Sequence, residues 1–232
     1  LAACSSTGNS DYSQFYRALR QSAAASFGNG RITKDQAAAI AYASMGYRVN
    51  GGTEQLVVLA TDANGEQLWT SKARIVIVTR DGRIARTVGL LHDRTGMSPR
   101  TGEQLAAVTA ALNGNVTYRR LEDFPDIPAY GVMLTCTLSK KRAENITILG
   151  RGIQTIRIDE SCRSSDRKWS FTDRFWVAPD ASLVWRSLQH VEELHAAVHQ
   201  AVHVDLDHLA EALGAELLAL VDHGALAQHQ HV

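Results

Sequence analysis

Apolar residues recur at helical spacing near both ends of the chain and at strand spacing between them. Tyr12, Phe15, Tyr16 and Leu19 fall three or four apart within YSQFYRALRQSAAA, residues 12–25, which predicts a helix. After the breaker GNGR, Thr33 precedes Gln36 by three positions. That is capping-box spacing, and it predicts a short helix over DQAAAIAYA, residues 35–43. The pattern then becomes β-like. YRVN (47–50), EQLVVLATDA (54–63), two runs within 68–91, VMLTCTLS (132–139), NITILG (145–150) and IQTIRIDE (153–160) read as strands. FTDRFWVAPDASLVWRSLQ (171–189) reads as a hairpin turning at Pro179-Asp180. Asn64-Gly65 and Asp81-Gly82 are hairpin signals, because these residues tolerate positive φ. Residues 92–104 read as a polar loop, EQLAAVTAALNG (103–114) as a short helix ended by Gly114, and DFPDIP (123–128) as a proline-bounded loop.

From Val191 the period changes again. Val191, Leu194, Val198, Val202, Leu206 and Leu209 begin a series that predicts a long amphipathic helix, finished by Gly224. The expected class is therefore α+β: short N-terminal helices, a large antiparallel β-sheet and an added C-terminal amphipathic helix. No run approaches the ~18 apolar residues of a membrane-spanning helix.

Composition alters this picture at one point. The net charge of zero over 232 residues hides a split. All 24 basic residues lie at or before Arg186, whereas seven of the 24 acidic residues and eight of the nine histidines lie at or after His190. Residues 1–190 thus carry +7 and the remainder −7, with histidine neutral. The expected organisation is a tether over 1–14, a β-rich domain over 15–190 and an acidic, histidine-rich tail over 191–232. A positive body suits an acidic partner such as nucleic acid, anionic lipid or an acidic polysaccharide, and a merely mild excess over 190 residues is the alternative.

Leu1-Ala2-Ala3-Cys4 resembles the lipobox of bacterial lipoproteins, an aliphatic residue and two small ones before cysteine. Small side chains fit a narrow peptidase groove, and the cysteine sulfur takes up a diacylglyceryl group. SSTGNSDYSQ, residues 5–14, then reads as a solvated tether. Each buried acyl methylene contributes about 0.8 kcal/mol, so several chains would hold the domain at a bilayer without a protein span. Ser5 stands where enterobacterial sorting signals for inner-membrane retention carry aspartate, so the resemblance implies the outer membrane.

ITKDQAAAIAYASMGYRVNGG and EQLVVLATDANGEQLWTSKARIVIVTRDGRIARTVGL, with NITILGRG and FTDRFWVAPDASLVWRSLQ later, resemble the YjbF/GfcB family of lipoproteins. The resemblance runs from Cys4 to about His190. It implies a fold dominated by curved antiparallel sheet, a partial barrel. It also implies a non-enzymatic outer-membrane accessory of exopolysaccharide or group 4 capsule export. The implied partners are the lipid bilayer, polysaccharide-secretion proteins of the outer membrane or periplasm, and an acidic polysaccharide; no nucleic acid and no cofactor is implied. Relatives end in a proline-containing link and a short strand, where this chain has its acidic helix. A lineage-specific extension and a frame shift both account for that.

Export would place Cys136 and Cys162 in an oxidising compartment at the ends of neighbouring strands. A disulfide and two separate half-buried thiols are the alternatives. His195, His199 and His203 recur at i, i+4 and i+8, where two could share a metal ion, but a solvated helix flank explains them as well. This leaves a metal-binding module as one alternative function. A polysaccharide-modifying enzyme is another. It needs two convergent carboxylates, and adjacent pairs such as Glu122-Asp123 and Asp159-Glu160 point to opposite faces of a strand. A cross-pair such as Glu122 with Glu160 stays open. Trp69, Trp169, Trp176 and Trp185 fit either a core or a sugar-stacking surface. No Gly-x-Ser-x-Gly elbow, phosphate-binding loop or Cys-x-x-Cys is present.

Overall fold

The computed structural model describes residues 31–191, except 41, 50–51, 91–92, 126–128, 167 and 182. Cys4, the helix expected over 12–25, and the tail with His195, His199 and His203 lie outside the described residues.

Thr33 caps a helix of five residues, α1 (Lys34–Ala38). Its side chain accepts from the Gln36 amide at 3.3 Å, and the Gln36 side chain accepts from the Thr33 amide at 2.8 Å. The helix stops well short of the expected residue 43. Ile40, Ala37 and Ile32 instead pack on Leu56 and Val58 of the sheet below.

Among the described residues eleven strands follow: β1 (Ser44–Tyr47), β2 (Gln55–Ala63), β3 (Glu66–Thr70), β4 (Val76–Arg80), β5 (Arg83–Val88), β6 (Gly96–Pro99), β7 (Val116–Phe124), β8 (Ala129–Ile148), β9 (Arg151–Ser164), β10 (Ser170–Val177) and β11 (Val184–Leu188). Within each of two sheets, every strand pairs antiparallel with its neighbours in the chain. Asn64-Gly65 and Asp81-Gly82 form two of those turns, all four residues having positive φ.

The expectation of one large sheet is corrected. There are two curled half-barrel sheets, β1 to β5 and β6 to β11. After β5 the Asp93 carboxylate accepts from the Gly89 and Leu90 amides, at 2.8 and 3.1 Å, and the chain doubles back so that the Thr87 amide donates to the Arg94 carbonyl at 2.8 Å before β6 begins the second sheet. The α component is also smaller than expected. Residues 103–114 contain only a 3-10 turn, Val108–Asn113, ended by Gly114 as the sequence suggests. Part of the expected polar loop at 92–104 is the edge strand β6, where Pro99 withholds no needed hydrogen bond.

VMLTCTLS and NITILG are one strand rather than two. β8 runs for 20 residues and pairs with β9, the register shifting between Lys140 and Ala143. This long ribbon serves both cores. Near its start, Leu134, Cys136 and Leu138 join Tyr118, Phe175 and Val108. Near its tip, Ile146 and Ile148 join Met45, Trp69 and Ile84 of the first sheet.

Candidate functional site

Strand alternation sends Tyr118, Arg120, Glu122 and Phe124 of β7 to one buried face. Glu160 of β9 and Asp173 of β10 face the same interior, and Arg83 enters from β5 of the other sheet. Arg83, Arg94 and Arg120 are each at most 2% exposed, and Glu122, Glu160 and Asp173 at most 1%. Three guanidiniums thus meet three carboxyls in the seam between the sheets.

Glu160 is the centre of the cluster. Its Oε1 accepts from Arg83 Nε and Nη2 at 3.0 and 2.8 Å and from the Tyr118 hydroxyl; its Oε2 accepts from Arg120 Nη1 at 2.7 Å. Burial raises the pKa of this carboxyl, but the two guanidiniums outweigh burial and bring it down to about 2. Glu122 lies 2.7 Å from Arg120 Nε and 3.3 Å from Arg94 Nη2. Those contacts are close enough for charge attraction, although neither Glu122 oxygen receives an aligned hydrogen bond. Asp173 accepts from the His190 backbone amide at 2.8 Å and meets His190 Nδ1 at 2.9 Å. Burial pushes its pKa up.

The cluster also closes a sheet edge. The Ile84 amide donates to Gln189 Oε1 at 2.9 Å, and the Ile84 carbonyl accepts from Arg94 Nη1 at 2.7 Å. Side chains thereby satisfy the backbone groups that β5 turns away from β4. The face of the cluster is also aromatic, with the Arg83 guanidinium 5.4 Å from the Tyr118 ring centre and that of Arg120 5.9 Å from Phe171.

Glu122 and Glu160 do converge, through Arg120, but inside the protein. Both are fully buried and clamped by arginine, and a carboxyl with a pKa of about 2 is a poor proton donor. The adjacent carboxylates separate as alternation requires: Asp159 turns outward to Arg157 Nε at 2.9 Å.

The sulfurs of Cys136 and Cys162 are bonded, with Cα atoms 4.0 Å apart across a directly opposed pair of β8 and β9. Among the four tryptophans, Trp69 and Trp185 are buried in the first core, and Trp169 packs against Phe124 and Phe171. Trp176 is half-buried and faces a cavity.

That cavity, about 480 Å³, opens beside α1, where the β8–β9 tip meets β10 and β11. Arg31, Lys34, Arg48 and Arg186 line it against a single carboxylate, Glu54. Glu54 accepts from the Ile32 amide at 2.8 Å. Arg186 stands opposite Trp176 in the β10–β11 pair, its guanidinium carbon 5.9 Å from the indole centre, and donates to the Thr147 carbonyl at 2.7 Å. Burial first, and the Arg48 charge second, lower the Arg186 pKa. The Nε atoms of both Arg48 and Arg186 are buried without a hydrogen-bond partner.

None of the arginines in either cluster stood out in the sequence. The signal available was the pair Arg120 and Glu122, opposite charges two apart on one strand face, flanked by Tyr118 and Phe124. Among the described residues, no group of three or more histidine, cysteine or carboxylate side chains is arranged to hold a metal ion, and no helix is long and apolar enough to cross a membrane.

The uncharacterized lipoprotein GfcB of Escherichia coli K12 is 26% identical over 191 residues, which is 82% of this chain and 86% of that protein. The uncharacterized lipoprotein YjbF of the same organism is 34% identical over 58 residues, 25% of this chain and 27% of its own. The crystal structure of the hypothetical lipoprotein YmcC from Escherichia coli K12 shares the fold. It superposes with a TM-score of 0.62 over 70% of this chain and 87% of that one, at 22% identity. The family model described as group 4 capsule polysaccharide lipoprotein GfcB, YjbF matches residues 21–195. With three-quarters of its length covered by that match, the chain belongs to the YjbF/GfcB lipoprotein family.

Proposed function

We propose that the protein is an outer-membrane lipoprotein, held through acylated Cys4 and facing the periplasm, that serves exopolysaccharide or capsule secretion without catalysing a reaction. The observation carrying this reading is the family match over residues 21–195, whose description names a capsule-polysaccharide lipoprotein. The seam supports the non-enzymatic part. Its converging carboxylates spend their charge on buried arginines that join two sheets. A two-sheet body behind the polar stretch of residues 5–14 suits docking beneath a membrane to a secretion protein.

A Cys4→Ser variant tests the proposal. Cell fractionation is expected to move it from the outer membrane to the soluble periplasm, and polymer export should fall with it. Normal export in a strain whose only copy is soluble would remove the need for the anchor.

A further inference from the structure

We propose that the cavity lined by Arg31, Lys34, Arg48, Arg186, Glu54 and Trp176 is a binding site for a carboxylate-bearing sugar of an acidic polysaccharide. The inference rests on the secretion reading above, and it adds to that reading a ligand class and the residues that hold it.

Four cationic side chains converge on this cavity and one carboxylate answers them. Elsewhere in the fold, crowded arginines are matched: the seam sets three guanidiniums against three carboxyls. Here the balance is missing. Arg48 and Arg186 stand close enough for each charge to oppose the other, and Arg31 adds to the repulsion. Both leave a buried Nε–H without a hydrogen-bond partner, as Arg94 and Arg120 of the seam also do, but here the guanidiniums flank an open cavity. Like charges gathered beside an open cavity are costly to hold together, and an incoming anion relieves that cost.

The shape of the donors narrows the choice of anion. A guanidinium presents parallel N–H groups that match the two oxygens of a planar carboxylate. The Nη2 of Arg186 is engaged with the Thr147 carbonyl, which orients the guanidinium beside Trp176. The half-buried indole offers the flat apolar wall against which a pyranose ring packs its C–H face. A volume of about 480 Å³ lies within the range of small-ligand sites. Charge set directly beside an aromatic wall describes a uronic acid residue better than a bare phosphate.

The elements that build the cavity also explain its rigidity. Trp176 and Arg186 are a cross-strand pair, Glu54 is tied to the backbone ahead of α1, and Thr147 belongs to the long strand β8. A ligand therefore meets donors already in position, which lowers the ordering cost of binding.

The test uses the full chain with Cys4→Ser, which keeps it soluble and separates binding from anchoring. Trigalacturonate is titrated by calorimetry at low salt, with maltotriose as the neutral control. Saturable binding of trigalacturonate alone is expected, with quenching of indole fluorescence that Trp176→Phe abolishes. Arg186→Gln and Arg48→Gln should each weaken binding at least tenfold with an unchanged melting temperature. Arg186→Lys, which keeps the charge but loses the fork, should recover only part of it. Arg163→Gln makes the same charge change at the far end of the β8–β9 ribbon and should bind as the parent does.

Equal weakening by Arg163→Gln would reduce the effect to net charge and overturn the site. So would an absence of trigalacturonate binding, or Arg186-dependent binding to phosphatidylglycerol vesicles in its place. If Arg186→Gln fails to fold, Arg48→Gln, at the end of β1, carries the test alone. Failure here leaves the Cys4 fractionation result standing, and failure of that result leaves this binding measurement standing, so the two are judged separately.

Discussion

Replacing Glu160 by glutamine tests the ionic seam most directly. The carboxylate accepts from Arg83, Arg120 and Tyr118 with both oxygens. An amide keeps the shape but turns an NH2 group toward donors, and it leaves three buried guanidiniums facing two carboxyls. Two routes give the cost. A carboxyl brought from the ordinary glutamate value of 4.5 to about 2 is stabilised as an anion by about 3 kcal/mol, at 1.36 kcal/mol per unit. Removing one partner of a buried ion pair typically costs about 3–5 kcal/mol. Both point to a loss of about 3 kcal/mol at pH 7, a large part of the stability of an ordinary domain.

The pH dependence follows from the direction of the shift. The folded pKa lies below the unfolded one, so the stabilisation is complete above about pH 4.5 and is lost as pH falls toward about 2. At pH 3 the difference between wild type and Glu160→Gln should have shrunk to well under its pH 7 value. Asp173 acts with the opposite sign. Its raised pKa contributes stability at low pH that is lost as pH rises, so the comparison must be made between the two proteins at each pH. The assay is urea unfolding of the Cys4→Ser chain, with and without Glu160→Gln, from pH 7 to pH 3. A difference below about 1 kcal/mol at pH 7, or one that does not narrow on acidification, would refute the account of the seam.

Two further perturbations probe the frame around it. The Cys136–Cys162 bond closes a loop with a sequence separation of 26. Its loss in a Cys136→Ala/Cys162→Ala double variant should lower stability by about 3–4 kcal/mol. A denaturation midpoint insensitive to both reductant and the double substitution would contradict that. Gly65 and Gly82 have nearly the same φ, +73° and +74°, but a Cβ on Gly65 meets nothing within 4 Å while one on Gly82 would lie 2.6 Å from Val184 of the other sheet. Gly65→Ala should therefore cost only the left-handed backbone penalty of about 1–2 kcal/mol. Gly82→Ala should cost about 1–3 kcal/mol more from overpacking. Equal thermal shifts for the two variants would show that the sheets do not meet at that turn.

Much of the local structure was legible in the chain. Asn64-Gly65 and Asp81-Gly82 specify hairpins because few residues accept positive φ at both central positions. Thr33 and Gln36 announce a helix start because their side chains reach each other's amides. Gly114 ends its turn where expected. β10 shows plain alternation, since Phe171, Phe175 and Val177 dominate its inner face. Other elements were hidden for physical reasons. β7 carries Arg120 and Glu122 on its buried face, so a hydrophobicity pattern reads half of that face as exposed. β8 contains SKKRAEN in its middle, which reads as a loop, yet a strand shared between two cores can run exposed where it crosses from one to the other.

The sequence by itself determined the many short turns, the antiparallel meander they force, the family and the placement of two cysteines on adjoining strands. Tertiary structure alone decided that the meander divides into two sheets. It decided too that Arg83, Arg94, Arg120, Glu122, Glu160 and Asp173 neutralise one another in the seam between them, and that Arg31, Arg48 and Arg186 gather beside Trp176 against the single carboxylate of Glu54. The reason is range. Turn and cap chemistry acts over three or four residues, whereas Arg83 meets a carboxylate 77 positions away. Whether a buried charge has a partner is a property of that distant meeting, and no local pattern records it.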